Sequence, residues 1–240
     1  LHYQPIVDSG SGETELVEAL IRWQHPEKGF VSPGEFIPVA EQTGQIVAIG
    51  QWVLHQACHD IARWNESLER PVPVSVNISP LQFRRFGFLE ELRKALQASG
   101  LDPALLELEV TENVLMSGTE RAIDTLNEIR AMGVKVSIDD FGTGYSSLVY
   151  LRKLPVCSIK IDRSFLHYAM ENESDMAIMK AMVTVGQSLG LSILVEGVET
   201  EQQAKLIRDL GCDFAQGFLY AKPMPAKAAE AFMTPLASRS

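Results

Sequence analysis

The chain has 240 residues, 46% of them hydrophobic and 22% charged, which excludes a disordered or fibrous polymer and suits one large globular unit. Its formal net charge of -10 repels polyanions at long range. That excludes a non-specific nucleic-acid binder, and a phosphorylated ligand can be held only where metal ions or local Arg and Lys reverse the sign. The odd set Cys58, Cys157 and Cys212, with no CxxC pair, argues against a disulfide framework or a cysteine-rich zinc site and predicts buried free thiols.

In chain order, a first strand at residues 1–7 and a second at 15–23 flank a short Gly/Ser-rich turn, 8–14. The turn is too short for a crossover helix, so the pair is expected to run antiparallel. A helical stretch at 35–64 follows, opened by the capping-box pattern Ser32-Pro33-Gly34-Glu35. Strand 73–79 leads to helix 88–97 and its stop at Gly100; strand 105–112 leads to helix 120–132 and Gly133. Strands at 134–139 and 158–161 precede helix 174–189, which stops at Gly190. Strand 192–196, helix 201–210 with the cap Thr200-Glu201-Gln202-Gln203 and the stop Gly211, and strand 214–216 complete the order. Strand–helix alternation at this spacing predicts a parallel sheet with crossover helices, and eight strand candidates favour its closure into a barrel. No run reaches the ~18 apolar residues of a membrane span, and no signal peptide opens the chain.

Side-chain parity along the strands carries the functional signal. Val74, Val76 and Ile78 oppose Ser75, Asn77 and Ser79; Leu106, Leu108 and Val110 oppose Glu107, Glu109 and Thr111. Val134, Val136 and Ile138 oppose Lys135, Ser137 and Asp139, and Ile159 and Ile161 oppose Ser158, Lys160 and Asp162. If the apolar set faces the outer helices, the polar set faces the barrel interior, where a purely structural barrel carries Val, Ile or Leu. Glu18, Asn77, Glu109, Asp139, Lys160, Glu196 and Gln216 then come from seven successive strands, each at or near the C-terminal end. Converging carboxylates resist ionisation unless a cation joins them. Hard oxygen donors without His or Cys suit magnesium or manganese.

These residues also resemble a known family, the EAL domain cyclic di-GMP phosphodiesterases. Val17-Glu18-Ala19-Leu20-Ile21-Arg22-Trp23 looks like the signature that names it, and Tyr3-Gln4-Pro5-Ile6-Val7 resembles its first strand. Val76-Asn77-Ile78-Ser79, Glu109-Val110-Thr111-Glu112, the run from Asp139-Asp140 to Ser146-Ser147, Lys160-Ile161-Asp162, Glu196-Gly197-Val198-Glu199 and Gln216-Gly217-Phe218 follow in the family's order. The resemblance implies a TIM-like (β/α)8 barrel whose first strand is antiparallel, over residues 1–240 as a single domain. It implies hydrolysis of cyclic di-GMP to linear pGpG with Mg2+ or Mn2+ at a two-metal site, and inhibition by Ca2+. Glu18, Asn77, Glu109 and Asp139 would be ligands of one ion, with Asp140 and Asp162 near a second that Asp139 bridges. Lys160 and Glu196, with Glu18, would be catalytic; which of the first two activates the water, or whether metal alone suffices, stays open. Gln4, Leu20, Arg22 and Gln216 would contact substrate, and Glu112 would anchor the loop at 141–148. The implied setting is a cytoplasmic domain excised from a larger signalling protein with sensory or cyclase domains, homodimeric, with no nucleic-acid polymer or membrane as a direct partner.

Two other readings of the same residues compete. One is a catalytically silent cyclic di-GMP receptor, which usually lacks metal ligands or the loop; this sequence keeps them. The other is a barrel enzyme using Lys160 as a Schiff-base nucleophile. Carboxylate neighbours should keep that lysine protonated, which counts against it. His55 and His59, four apart, are read as an outer-helix pair rather than a metal site, and Trp23, Trp52 and Trp64 as packing residues.

Overall fold

A computed structural model describes residues 1–112, 114, 120–143 and 151–233. Strands β1 (His2–Asp8) and β2 (Thr14–Leu20) form an antiparallel hairpin with Tyr3 opposite Ala19 and Pro5 opposite Val17. The turn is built by Asp8, whose Oδ1 accepts the backbone N–H groups of Gly10 at 3.0 Å and Ser11 at 2.7 Å, an Asx-type closure. A small ribbon, β3 (Trp23–His25) and β4 (Gly29–Val31), follows. Then come α1 (Pro33–Gln42), α2 (Ile46–Asn65), β5 (Val74–Ile78), α3 (Pro80–Arg84), α4 (Phe88–Ser99), β6 (Leu106–Thr111), α5 (Glu120–Ala131) and β7 (Lys135–Phe141). The remaining elements are β8 (Ser158–Ile161), α6 (Arg163–Ala169), α7 (Glu173–Ser188), β9 (Ser192–Val195), α8 (Glu201–Asp209), β10 (Phe214–Ala215), β11 (Met224–Pro225) and α9 (Ala226–Met233).

From β2 through β5, β6, β7, β8 and β9 to β10, each strand pairs in parallel with the next. The barrel closes through β1, which runs antiparallel to both β2 and β10, with Val7 opposite Ala215. The expected fold, a closed barrel with an antiparallel first strand, is the fold observed. Gly100, Gly133, Gly190 and Gly211, the expected helix stops, all take positive φ.

Local expectations divide. The Thr200 capping box forms in full, with the Gln203 N–H on Thr200 Oγ1 at 3.2 Å and Gln203 Oε1 on the Thr200 N–H at 3.0 Å. The Ser32 box does not. The Glu35 N–H that it requires is taken by the Ser32 carbonyl at 2.9 Å, and the serine side chain makes no capping bond. The expected helix 35–64 is two helices, because Thr43 turns its hydroxyl back onto the Val39 carbonyl at 2.9 Å and Gly44 takes φ 75°. The second strand stops at Leu20 instead of 23, and Trp23 begins the separate ribbon. Helices α3, α6 and α9 and the ribbon were not anticipated; all are short, and none carries a long periodic run.

Parity holds. Val74, Val76, Leu106, Leu108, Ile159 and Ile193 are fully buried in the continuous core between the strands and the outer helices, which contribute Leu54, Ile61, Leu92 and Leu126 among others. The interior-facing set is different. Ser75, Ser137, Glu109 and Lys160 are buried there, while Ile6, Leu16 and Leu194, with Phe214 against them, form a separate apolar cluster. Trp64 packs edge-on against Tyr3 at 4.7 Å, whereas Trp23 and Trp52 are about half exposed, so only Trp64 is a core packing residue. Cys58, Cys157 and Cys212 are free, and burial pushes the Cys58 and Cys212 thiols up to about 12. No helix among the described residues is long and apolar enough to cross a membrane.

Candidate active site

The C-terminal ends of the parallel strands converge on one buried ammonium. Lys160, second to last in β8 and 2% exposed, places Nζ 2.6 Å from Glu109 Oε2, 2.7 Å from Glu196 Oε1, 3.4 Å from Asp139 Oδ1 and 3.6 Å from Glu18 Oε1. Strand register makes this meeting inevitable: Asn77 pairs with Glu109 across β5–β6, and Thr111 with Asp139 across β6–β7. Side chains two residues apart share a face, so the polar members of neighbouring strands stack around one axis.

The amides complete the frame. Asn77 Nδ2 donates to Glu18 Oε1 at 2.7 Å, and Gln216 Nε2 donates to Glu18 Oε2 at 2.7 Å. Gln216 Nε2 also reaches Gln4 Oε1 at 3.2 Å, and Gln4 in turn donates to the Ala221 carbonyl at 3.0 Å. Five of the sequence-derived site residues, Glu109, Glu196, Asp139, Asn77 and Gln216, are thereby joined directly to Lys160 or Glu18, which contact each other as the two hubs.

Charge balance in this cluster is unequal. Burial opposes the charge on Lys160, but Glu109, Glu18, Glu196 and Asp139 outweigh it and hold the ammonium well above its ordinary range. Burial, with the charges of Glu18 and Asp139 against it, pushes Glu109 well above the usual carboxylate range despite Lys160. Burial likewise raises Glu196 to about 7, with Lys160 opposing and Glu18 and Asp139 reinforcing. Glu18 goes the other way: burial would raise it, but Lys160 and the donors Gln216 and Asn77 pull it down, and Glu109 lies close enough to hydrogen-bond it. One ammonium thus faces four carboxylates, and two of these are close enough to share a proton.

Such a donor set, all oxygen and in charge deficit, fits a divalent cation held by Glu18, Asn77, Glu109 and Asp139. Among the described residues no three acidic, His or Cys side chains are already drawn into a closed metal cage. The Lys160 ammonium, which stands among the carboxylate oxygens, provides the counter-charge here.

Asp140 and Asp162 stand outside the lysine cluster. Asp140 follows Asp139 with φ 53°, a left-handed conformation uncommon for a side chain other than glycine, and its N–H donates to Asp139 Oδ1 at 3.0 Å. Burial first, then the charges of Asp139 and Asp162, raise its carboxyl above the usual range. Asp162 caps α6, its Oδ1 accepting the Ser164 N–H at 2.9 Å. Arg22 folds back, Nη1 donating to the Ile21 carbonyl at 2.9 Å. Glu112 is 1% exposed and accepts the Gly142 N–H on Oε2 at 2.9 Å, which ties the strand end after Asp139 and Asp140 to the end of β6. Gly142 takes φ 94°, a conformation that strains any other residue. Residues 144–148 of the expected loop lie outside the described residues.

A cavity of about 280 Å³ opens over the cluster, lined by Gln4, Glu18, Leu20, Asp139, Lys160, Glu196 and Gln216 from the expected set. Arg163, Glu199 and Phe218 line it as well. Glu199 and Phe218 stand inside motifs that carry the resemblance but had no role assigned to them, and Arg163 stands in none; their signal is position, one to three residues beyond Asp162, Glu196 and Gln216.

The family model described as EAL domain matches residues 1–223. The chain belongs to the EAL domain family. Curated relatives of this EAL domain include the bifunctional diguanylate cyclase/cyclic di-GMP phosphodiesterase MucR of Pseudomonas aeruginosa, 47% identical over 227 residues, 95% of this chain and 33% of that protein. The cyclic di-GMP phosphodiesterase NbdA of the same organism is 42% identical over 233 residues, 97% of this chain and 30% of that one. The EAL domain thus spans about a third of the length of these relatives. Among solved structures, the P. aeruginosa MucR phosphodiesterase in complex with c-di-GMP superposes with a TM-score of 0.93 at 46% identity, covering 95% of this chain and 93% of that one.

Proposed function

We propose that this EAL domain hydrolyses one phosphodiester bond of cyclic di-GMP, giving linear pGpG. The observation that carries the reading is the cluster of Glu18, Glu109, Asp139 and Glu196 around Lys160 at the strand ends, beneath an open cavity. The phosphodiesterase names of relatives at 42–47% identity support it. Magnesium or manganese would be held by Glu18, Asn77, Glu109 and Asp139, and Asp139, Asp140 and Asp162 would serve a second ion. A divalent ion bound there would supply a lowered water pKa and charge neutralisation at the phosphoryl oxygens.

The protein's own groups then divide the work. Lys160 stays protonated, so it orients the attacking water and cannot deprotonate it or form a Schiff base. Glu196, raised to about 7, has the proton affinity that suits a general base near neutral pH. Its carboxylate takes the water proton as the oxygen bonds to phosphorus, the bond from phosphorus to the ribose oxygen breaks on the opposite side, and that oxygen takes up a proton from solvent to leave as a hydroxyl. Arg22 supplies a permanently charged fork for a phosphate, and Gln4, Leu20 and Gln216 shape the floor beneath the substrate. The domain works in the cytoplasm, as a homodimer, within a chain that carries sensory or cyclase modules.

Incubation of the purified domain with cyclic di-GMP and magnesium, followed by chromatography of the products, tests the reading. Linear pGpG is expected, with turnover abolished by excess chelator and suppressed by calcium, whose larger and looser shell positions water less strictly. Tight binding without turnover in magnesium and in manganese would favour the silent receptor instead.

A further inference from the structure

The barrel holds another cavity at its opposite end. Its volume is about 190 Å³, and it lies among the N-terminal ends of the parallel strands, where Glu107, Lys135, Ser158 and Ser192 line it from the starts of β6, β7, β8 and β9. Glu109 and Lys160 form its roof, so the catalytic cluster separates it from the cavity above. This end of a barrel ordinarily serves stability and is filled with branched apolar side chains. Here the filling is divided between two halves. Successive strands β9, β10, β1 and β2 supply Leu194, Phe214, Ile6 and Leu16, the small apolar cluster apart from the main core. Successive strands β6, β7 and β8, on the other half of the barrel, supply Glu107, Lys135 and Ser158.

The polar half is short of partners. Glu107 and Lys135 stand opposite each other in the β6–β7 register, yet among the described residues no ion pair joins them. Glu107 is half-buried and accepts the Ser158 hydroxyl at 2.9 Å, while Lys135 is exposed at the mouth. Ser75, opposite Glu107, and Ser137, opposite Ser158, are wholly buried on the same inward face, and among the described residues their hydroxyls have no partner. Unfilled space therefore lies between an apolar wall and two opposite charges that do not meet. A molecule with an ammonium and a carboxylate at one end and an apolar body at the other matches all three features. Size narrows the class. A cavity of ~150 Å³ takes benzene, so this one admits a molecule slightly larger and excludes a nucleoside.

We propose that this lower cavity binds a small hydrophobic α-amino acid, with its ammonium on Glu107, its carboxylate on Lys135 and its side chain against Leu16, Leu194 and Phe214. A simple amine would leave Lys135 without a counter-charge, and a simple carboxylate would leave Glu107 without one. The zwitterion answers both and adds no net charge beneath Lys160. The site does not depend on cyclic di-GMP being the substrate. Its occupant would meet Glu109 and Lys160 from the side opposite the upper cavity.

Heteronuclear NMR titration of the isotope-labelled protein with L-leucine tests this. Isopentylamine and isocaproate serve as further probes, each keeping the apolar body and one of the two charges. Saturable shifts are expected at the backbone amides of Ser158, Ser192 and Phe214, which line the cavity. Glu107→Gln keeps the shape and an acceptor for Ser158, and Lys135→Met keeps the stem; each is expected to raise the Kd for L-leucine about tenfold. Both one-charge probes should bind the wild type weaker than L-leucine by about the same factor. Melting temperatures measured alongside show that the variants are folded, and the probe comparison uses wild-type protein alone, so it decides the matter even where a variant fails to fold. The assignment is overturned by the absence of a saturable shift in the wild type, or by shifts confined to the upper cavity, as at Gly197. An unchanged Kd in either folded variant, or a one-charge probe that binds as tightly as L-leucine, overturns it equally.

Discussion

Replacing Lys160 by Met is the sharpest perturbation of the catalytic cluster, because it deletes one charge at nearly constant volume. Four carboxylate oxygens lie 2.6 to 3.6 Å from Nζ in a site where the lysine is 2% exposed. At an effective dielectric of about 20, each contact is worth roughly 5–6 kcal/mol gross. Desolvation offsets most of that, and removing one partner of a buried ion pair costs ~3–5 kcal/mol. For a domain of this size ~2–4 °C of melting temperature accompanies each kcal/mol, so the variant should melt roughly 6–20 °C lower in chelator. The sign with pH follows from the raised carboxyls. Glu109 and Glu196 already titrate above their unfolded values, and loss of the ammonium moves them further up. A group with a raised folded pKa stabilises below its unfolded pKa and loses that contribution as pH rises through the folded value. The deficit should therefore be largest near pH 8 and shrink toward pH 5. Magnesium should narrow it by supplying positive charge among the same oxygens, while turnover stays lost. Differential scanning fluorimetry across pH, with chelator or with magnesium, reads all of this. An unchanged melting temperature at pH 8 in chelator would refute the assignment of Lys160 as the counter-charge.

Three other outcomes follow from the same geometry. Glu18→Ala should abolish turnover while the domain stays folded, at a cost of ~1–3 kcal/mol because the Asn77 and Gln216 amides lose their shared acceptor; near-normal rates would displace Glu18 from the site. Glu112→Ala frees the Gly142 N–H and with it the segment carrying Asp139 and Asp140, so the magnesium concentration for half-maximal activity should rise. An unchanged magnesium titration with normal maximal rate would leave Glu112 a spectator. In chelator, the wild-type melting temperature should fall as pH rises from the ordinary Glu range through about 7, since the Glu196 carboxyl is held up to that value in the fold. Magnesium should flatten that slope, and a flat profile in chelator would contradict the burial of Glu196.

Much of this was legible from the amino-acid sequence. Alternation along β5 to β9 separated the helix-facing Val, Leu and Ile from the polar inward residues because side chains in a strand must point to opposite faces, whatever the rest of the chain does. The short Asp8–Thr14 turn could join only antiparallel neighbours, and β1 is antiparallel on both sides. The convergence of Glu18, Asn77, Glu109, Asp139, Lys160, Glu196 and Gln216 at strand ends followed from the same two facts. Other features needed the fold. The break at Gly44, the failed cap at Ser32 and the capping role of Asp162 depend on which backbone groups compete for one hydrogen bond, and a linear pattern does not rank those competitors. That Lys160 is the centre of the cluster, that burial raises Glu196 to about 7, and that Gln82 packs against Gly50 are consequences of distances between segments far apart in the chain. Parity says which way a side chain points; only closure of the barrel decides what it meets there, and buried electrostatics depends on those few ångströms.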